Sequence, residues 1–225
     1  MPLPDLVIFD LDGTLIDSVP DLTTALNQML NQLGRAAVES EDVRNWVGDG
    51  SLLLVHRALT NSIDGRVDDE AAQESHRVFQ KHYADCCLER TRIFDHADDL
   101  IHHLRSRGVK TAVATNKPER HAVHLMDAWS DRLPMDIILG ERAGHPRKPD
   151  PSMLLKAIRE CQATSAWMVG DSEVDSMAAR AAGTAFMGVR LGYNHGRDIA
   201  AVEPPPDQVF DDLGSFLDWI RQSGD

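Results

Sequence analysis

Positive charge is scarce in this 225-residue chain: 23 Lys and Arg stand against 36 Asp and Glu, a formal net charge of −13. That balance argues against a nucleic-acid partner, because phosphate backbones are bound by basic patches. A small phosphorylated ligand stays open, since a metal ion and one or two lysines reverse the field locally. Cysteine is scarce too. Cys86, Cys87 and Cys161 are odd in number and the adjacent pair lacks zinc-ligand spacing, so buried reduced thiols are expected and no disulfide framework. No apolar run approaches membrane-spanning length, which excludes a helical membrane partner. The first residues, Met1-Pro2-Leu3-Pro4-Asp5, place no basic region before an apolar stretch, so no signal peptide is expected and the location is cytoplasmic. The ten histidines include no His-x-His or His-Glu-x-x-His pattern. His102-His103 and His121 with His124 are therefore expected on helix surfaces rather than on a metal.

What remains is ordinary globular composition, 42% hydrophobic and 26% charged, with no repeat and no low-complexity tract. The length allows one large domain or a core domain carrying an insertion. The informative stretch comes first. Leu6-Val7-Ile8-Phe9 reads as a strand buried on both faces, and it runs into Asp10-Leu11-Asp12-Gly13-Thr14. Acids at the end of such a strand sit at the carboxyl edge of a sheet, where open α/β folds bind ligands. Two apart in extended geometry, Asp10 and Asp12 share one side of the chain, and like charges so close need a cation or a shared proton. The plain alternative is a polar strand-to-helix turn, for which Asp and Gly are common residues.

From Ser18 to about Cys87 the spacing is helical, in four segments: Val19 to Leu33, Ser40 to Val47, Leu52 to Leu59, and Asp68 to Cys87. No strand signal interrupts them. An all-helical block after the first strand suggests a cap over the sheet edge. Inside it, Asn45-Trp46-Val47-Gly48-Asp49-Gly50 is either a loop that closes over a substrate or an ordinary helix–helix turn. From Asp95 strands alternate with helices: strands near Val109–Thr115, Met135–Gly140, Ala166–Gly170, Thr184–Val189 and Val209–Phe210, which implies a parallel, doubly wound sheet. The expected divisions are 1–16 for the first strand and its loop, 17–90 for the helical cap, and 91–225 for the rest of the α/β core.

Three core strands end in polar residues. Thr115-Asn116-Lys117 offers a hydroxyl and backbone N–H groups for phosphate oxygens, or Thr115 simply caps the next helix. Lys148 lies in Arg147-Lys148-Pro149-Asp150-Pro151, where two prolines hold its ammonium in place against a phosphoryl group; a solvated lysine is the alternative. Gly170-Asp171-Ser172-Glu173-Val174-Asp175 places Asp171 and Asp175 on one helix face if the helix starts by Ser172. Carboxylates suit Mg²⁺, although an acidic first turn also suits the helix dipole.

In this order on successive strands, these motifs resemble those of the haloacid dehalogenase-superfamily phosphatases, and among them the bacterial phosphoglycolate phosphatases. The first motif is Asp10-Leu11-Asp12-Gly13-Thr14-Leu15-Ile16-Asp17-Ser18, the second Thr115-Asn116, the third Lys148, and the fourth Gly170-Asp171-Ser172 with Asp175. The likeness runs over nearly the whole chain, including Asn45 to Gly50 and Gly192-Tyr193-Asn194-His195-Gly196. It implies a Rossmann-like core with a helical cap and a Mg²⁺-dependent phosphomonoesterase acting on a small phosphorylated substrate such as 2-phosphoglycolate. It further implies Asp10 as nucleophile forming an aspartyl-phosphate, and Asp12 as general acid and then base. Thr115, the Asn116 amide and Lys148 would bind the phosphoryl oxygens. Mg²⁺ would be held by Asp10, the Asp12 carbonyl, Asp171 and Asp175, and Gly48, Asp49 and Gly50 would meet the substrate. The assembly expected is a monomer or homodimer. Carbon-acting dehalogenases of the superfamily use neither the second aspartate nor the metal, so Asp12 favours phosphoryl transfer. Other readings are a sugar-phosphate or nucleotide phosphatase, pyrophosphatase or phosphomutase on the same core, a non-hydrolytic aspartate-phosphorylation switch, and a silent binding protein. The chain departs from its relatives at Asp95-His96, where they usually carry Pro-Gly, and at Ser130 to Pro134.

Overall fold

A computed structural model describes residues 1–143 and 145–223. Its centre is the first strand, β1 (Leu6–Phe9), all four residues of which are buried. β1 pairs in parallel with β4 (Lys110–Pro118) on one side and with β6 (Ala166–Gly170) on the other. β5 (Ile137–Glu141) extends the sheet beyond β4, while β7 (Ala185–Val189) and β8 (Gln208–Phe210) extend it beyond β6. The order β5-β4-β1-β6-β7-β8 is parallel throughout. The chain reverses its direction of travel across the sheet around β1, which puts the ligand crevice at that strand's carboxyl end.

Burial on both faces explains the unbroken aliphatic run. Val7 and Phe9 face a core shared with the helices α5 (Ala97–Ser106), α6 (Glu119–Ala128) and α9 (Leu213–Ser223). Leu6 and Ile8 face α7 (Ser152–Glu160) and α8 (Glu173–Ala182) on the opposite side. The expected architecture, a doubly wound parallel core with a helical cap inserted after the first strand, is the one found. The cap comprises α1 (Val19–Gln32), α2 (Ser40–Trp46), α3 (Ser51–Thr60) and α4 (Asp69–Cys86). The three cysteines are free and buried. Among the described residues, no helix is long and apolar enough to cross a membrane.

The hinge between cap and core holds two elements without a hydrophobic signature. β2 (Ile16–Asp17) and β3 (Arg92–Ile93) pair antiparallel, Ile16 with Ile93 and Asp17 with Arg92. Two residues each are too few for a period, and their partners lie far apart in sequence. Beside them, the fully buried Asp21 carboxylate accepts from the Arg90 and Thr91 backbone N–H groups and the Thr91 hydroxyl at 2.7–3.0 Å. It ties the second linker to the first turn of α1.

The departure at Asp95-His96 has a conformational consequence. His96 sits at φ +65° at the N-terminus of α5, in the left-handed region where a β-carbon costs about 1–2 kcal/mol. Glycine, with no such cost, pays more on ordering from the unfolded chain. We expect His96→Gly to stabilise the protein by up to about 1 kcal/mol, read as a higher thermal midpoint with unchanged activity.

Candidate active site

The register aligns the chemistry. Phe9 lies opposite Val113 of β4 and Val169 of β6, so the residues just beyond them, Asp10, Thr115 and Asp171, emerge at one edge. Asp10, Asp171 and Asp175 each place a carboxylate oxygen within 4.8 Å of the others, all three buried. Lys148 enters from the loop before α7, its ammonium 2.8 Å from Asp10 Oδ1 and 2.6 Å from Asp175 Oδ1. The proline-flanked segment that carries it is clamped by Asn116. The Asn116 Oδ1 accepts from the Lys148 N–H at 2.9 Å, and its Nδ2 donates to the Lys148 and Gly48 carbonyls at 3.1 Å. The Asn116 side chain is thus committed to the scaffold, and any hold on a ligand falls to its main chain.

Asp171 is fixed by the Thr14 hydroxyl, 2.7 Å from Oδ1, and by the Tyr193 N–H, 2.9 Å from Oδ2. Gly13, at φ +91°, passes so close that a β-carbon there would lie 2.6 Å from Asp171 Oδ2, and one on Gly192 would strike the same carboxylate. Asp175 serves two ends at once. Its Oδ2 accepts from the Ser172 N–H and hydroxyl at 3.1 and 2.6 Å, closing the N-terminus of α8, while Oδ1 takes Lys148. The helix itself starts at Glu173, with Ser172 still extended. Asp171 and Asp175 therefore meet because the strand-to-helix turn folds one over the other, and not through a shared helix face.

The electrostatics follow from burial. Desolvation, then the Asp10 and Asp175 charges, push the Asp171 carboxyl up to about 8. Desolvation raises Asp10 to about 6 against the pull of Lys148. For Lys148, burial works against the charged form, but Asp10 and Asp175 together hold its ammonium above the ordinary lysine range. The buried Asp10 Oδ1 has the Lys148 ammonium beside it at 2.8 Å. Three buried carboxylates that converge within 4.8 Å with one lysine among them are a donor set that fits a hard divalent cation such as Mg²⁺.

Asp12 lines the same cavity as Asp10 but keeps partners of its own. The strand ends at Phe9, so the two-residue period of extended chain does not carry past it. The Asp12 carboxylate turns instead to Lys117, whose Nζ lies 3.0 Å from both oxygens, and to the Ser18 hydroxyl at 2.6 Å. Asp10, Asp12, Thr115, Asn116 and Lys117 line one cavity with Gly48 and Gly50 and an apolar cap wall that includes Leu22, Leu54, Phe79 and Tyr83. Asp49, expected beside the substrate with its glycine neighbours, is absent from that lining. Its carboxylate pairs with Arg57 at 2.7 Å and His195 at 3.2 Å, and against the cost of burial these partners hold it down at about 2. The loop from Asn45 to Gly50 is thereby fastened to the core, since His195 also meets the Asn45 carbonyl at 2.8 Å.

Lys117, Thr14 and Gly192 stand in the sequence motifs above without an assigned side-chain role, and His121, expected on a helix surface, lies elsewhere. That histidine is buried, with Nε2 2.5 Å from Gln80 Oε1 of the cap, and burial followed by Lys117 and Arg120 lowers its pKa to about 3. The helical period could have flagged it, because His121 is in step with the buried Leu125 of α6.

A family model described as haloacid dehalogenase-like hydrolase matches residues 4–183. The chain belongs to the haloacid dehalogenase-like hydrolases. It is 44% identical over 218 residues to a phosphoglycolate phosphatase of Pseudomonas savastanoi pv. phaseolicola, covering 96% of this chain and 79% of that one. It is 40% identical over 227 residues to phosphoglycolate phosphatase 1 of Pseudomonas aeruginosa, covering 99% and 82%. The crystal structure of a predicted phosphoglycolate phosphatase from Haemophilus somnus superposes with a TM-score of 0.86 at 28% identity, covering 96% and 97%. Within the haloacid dehalogenase-like hydrolases the chain is a phosphatase.

Two outcomes follow from the geometry. Because folded Asp171 and Asp10 hold protons that the unfolded chain has already lost, stability without divalent ions falls as pH rises from about 4 towards 8. Thermal midpoints measured across that range decline, and Asp171→Asn flattens the decline. Gly192→Ala displaces the Asp171 carboxylate and lowers kcat by about 100-fold or more, the scale on which small misplacements act, with circular dichroism unchanged.

Proposed function

We propose that this phosphatase hydrolyses a small phosphomonoester, 2-phosphoglycolate, through a phosphoryl-enzyme formed on Asp10. The observation that carries the proposal is the convergence of Asp10, Asp171, Asp175 and Lys148 at the carboxyl edge of β1, beside a cavity into which Asp12 and Thr115 also face. The two Pseudomonas relatives, both phosphoglycolate phosphatases, support the choice of substrate.

Asp10, Asp171, Asp175 and the Asp12 carbonyl would hold Mg²⁺, which when bound neutralises the phosphoryl oxygens and polarises phosphorus. The chain's own residues do the rest. An Asp10 carboxylate oxygen attacks phosphorus in line, and the bond from phosphorus to the alcohol oxygen breaks. Asp12 gives its proton to that departing oxygen and later takes one from the water that attacks the aspartyl-phosphate, releasing inorganic phosphate. Lys148 and the Thr115 hydroxyl hold the non-bridging oxygens, and Lys148 offsets the negative charge of Asp10 during approach. The cap wall excludes water from the first step.

Steady-state kinetics on a panel of phosphate esters, with and without Mg²⁺, tests this. The expected result is highest kcat/KM on 2-phosphoglycolate and no turnover after chelation. Equal rates across unrelated esters would remove the substrate assignment. Asp10→Asn is expected to lower kcat by about 10⁴-fold or more, as removal of a nucleophile does, and to abolish phosphoryl labelling of acid-quenched enzyme. A phosphoryl-enzyme that persists without turnover would mark a switch instead.

A further inference from the structure

Two stretches singled out in the sequence meet in the structure: Asn45 to Gly50 in the cap and Gly192 to Gly196 in the core. The chemistry above gives their contact no task. Val47, Gly48 and Gly50 form part of the cavity wall, while Asp49 is turned to two partners outside it. Arg57 belongs to the cap. Its buried guanidinium also donates to the Trp46 and Ile63 carbonyls, so the Asp49–Arg57 pair travels with the cap as one piece. His195 belongs to the core, and its contact crosses the seam that parts to admit a substrate.

The His195 ring is presented by a left-handed backbone, φ +53° and ψ +35°, a conformation that a β-carbon disfavours. Its Nδ1 lies 2.8 Å from the Asn45 carbonyl and its Nε2 3.2 Å from Asp49 Oδ2. Both partners can only accept, because Asp49, with a pKa of about 2, stays a carboxylate. A neutral imidazole has one N–H and satisfies one of them; the imidazolium donates to both. In line with that geometry, the Asp49 hydrogen bond raises the pKa of His195 against burial and the Arg57 charge. The other charged groups around the ring are engaged elsewhere. α2 carries Arg44, which is turned to Asp17 and the Tyr193 ring, and has Glu41 and Asp42 in its first turn. Arg197, on the same segment as His195, pairs with Glu173. Arg147 and Asn116 of the core also reach the loop, at the Asp49 and Gly48 carbonyls, and neither titrates near neutral pH.

We infer that protonated His195 is the clasp that holds the cap loop shut over a bound phosphomonoester, a positioning residue whose grip loosens as pH rises. It acts through Asp49 and the Asn45 carbonyl, not on the substrate. This role requires phosphatase activity but not any one ester as the substrate. Below its raised pKa the ring makes both bonds; as pH rises through that value one is lost, and the wall at Gly48 and Gly50 opens more readily.

The test uses whichever ester gives the highest kcat/KM in the panel above, with Mg²⁺ present, at about pH 6 and about pH 9, on either side of a raised histidine value. His195→Asn tolerates the left-handed backbone, with a side chain too short to bridge Asn45 and Asp49. It is expected to raise KM about 10-fold at the lower pH, as loss of a hydrogen bond to a charged group does, without lowering kcat. At the higher pH the gap between variant and wild type closes, because titration of the ester and of the buried acids is common to both and cancels in the ratio. Asp49→Asn also disturbs Arg57, so a double-mutant cycle with His195→Asn isolates the pair; its coupling is expected near the lower pH and absent near the higher. Thermal midpoints establish that each variant is folded. Ring nitrogen NMR, with the His195 signals assigned by their loss in His195→Asn, is expected to show the wild-type ring doubly protonated at neutral pH and Asp49→Asn returning it to ordinary titration. An unchanged KM in folded His195→Asn overturns the inference, as does a KM ratio that is the same at both pH values. A fall in kcat with KM unchanged also overturns it, and assigns the segment to holding Asp171 instead. Failure of 2-phosphoglycolate in the panel removes the substrate assignment alone, since the clasp is then measured on another ester.

Discussion

The structure depends on keeping negative charge together where water cannot screen it. Asp10, Asp171 and Asp175 crowd one buried point, and among the described residues Lys148 is the cation paired with them. Three carboxylates against one ammonium leave two negative charges, the deficit that one divalent ion or two protons would fill. Burial of this kind is costly in isolation, so the surroundings spend their polar groups on holding the acids in place. Thr14 and the Tyr193 N–H fix Asp171, Ser172 fixes Asp175, and Asn116 fixes the backbone of Lys148. The glycines at 13 and 192 are there because Asp171 occupies the space their side chains would need. Apart from the local Ser172–Asp175 pair, these contacts join segments distant in sequence, which makes the site a consequence of the whole sheet.

The same requirement explains how the cap meets the core. A site of unscreened charge works only when closed, and the closing contacts are polar pairs at the rim around an apolar interior. On one side Asp49 of the cap loop is gripped by His195 of the core, whose own pKa is raised by that carboxylate. On another, Gln80 of α4 accepts from Arg120 and His121 of α6 at 2.6 and 2.5 Å and passes the chain on to Ser51 and His76. At the hinge, the Tyr193 hydroxyl donates to Asp17 at 2.8 Å, so the residue whose N–H holds Asp171 also touches the first linker. Cap position and acid position are therefore mechanically linked through Tyr193.

The sheet and the family were legible because both are written in local pattern. A four-residue aliphatic strand followed by two acids needs no tertiary knowledge to be read, and neither does a lysine between prolines. What stayed hidden depends on distant partners. The β2–β3 ribbon joins residues 16–17 to 92–93, and its strands are too short to have a period. The partners of Asp12 were hidden as well: beyond Phe9 the chain turns, closed by backbone bonds to the Leu11 carbonyl, and the carboxylate meets Lys117, which lies more than 100 residues away. Asp49 looked like a substrate contact from its glycine neighbours, whereas its partners Arg57 and His195 lie 8 residues and well over 100 residues away. His121 looked solvated by composition, and is buried because Gln80 arrives from the cap.

Two acids two positions apart would compete for a single counter-ion. By ending the strand at Phe9 and turning at Gly13, the chain gives each its own ammonium, Lys148 for Asp10 and Lys117 for Asp12. The two ammoniums come from different segments, Lys117 from the end of β4 and Lys148 from the loop before α7, so each acid is held by a part of the chain distant from it in sequence.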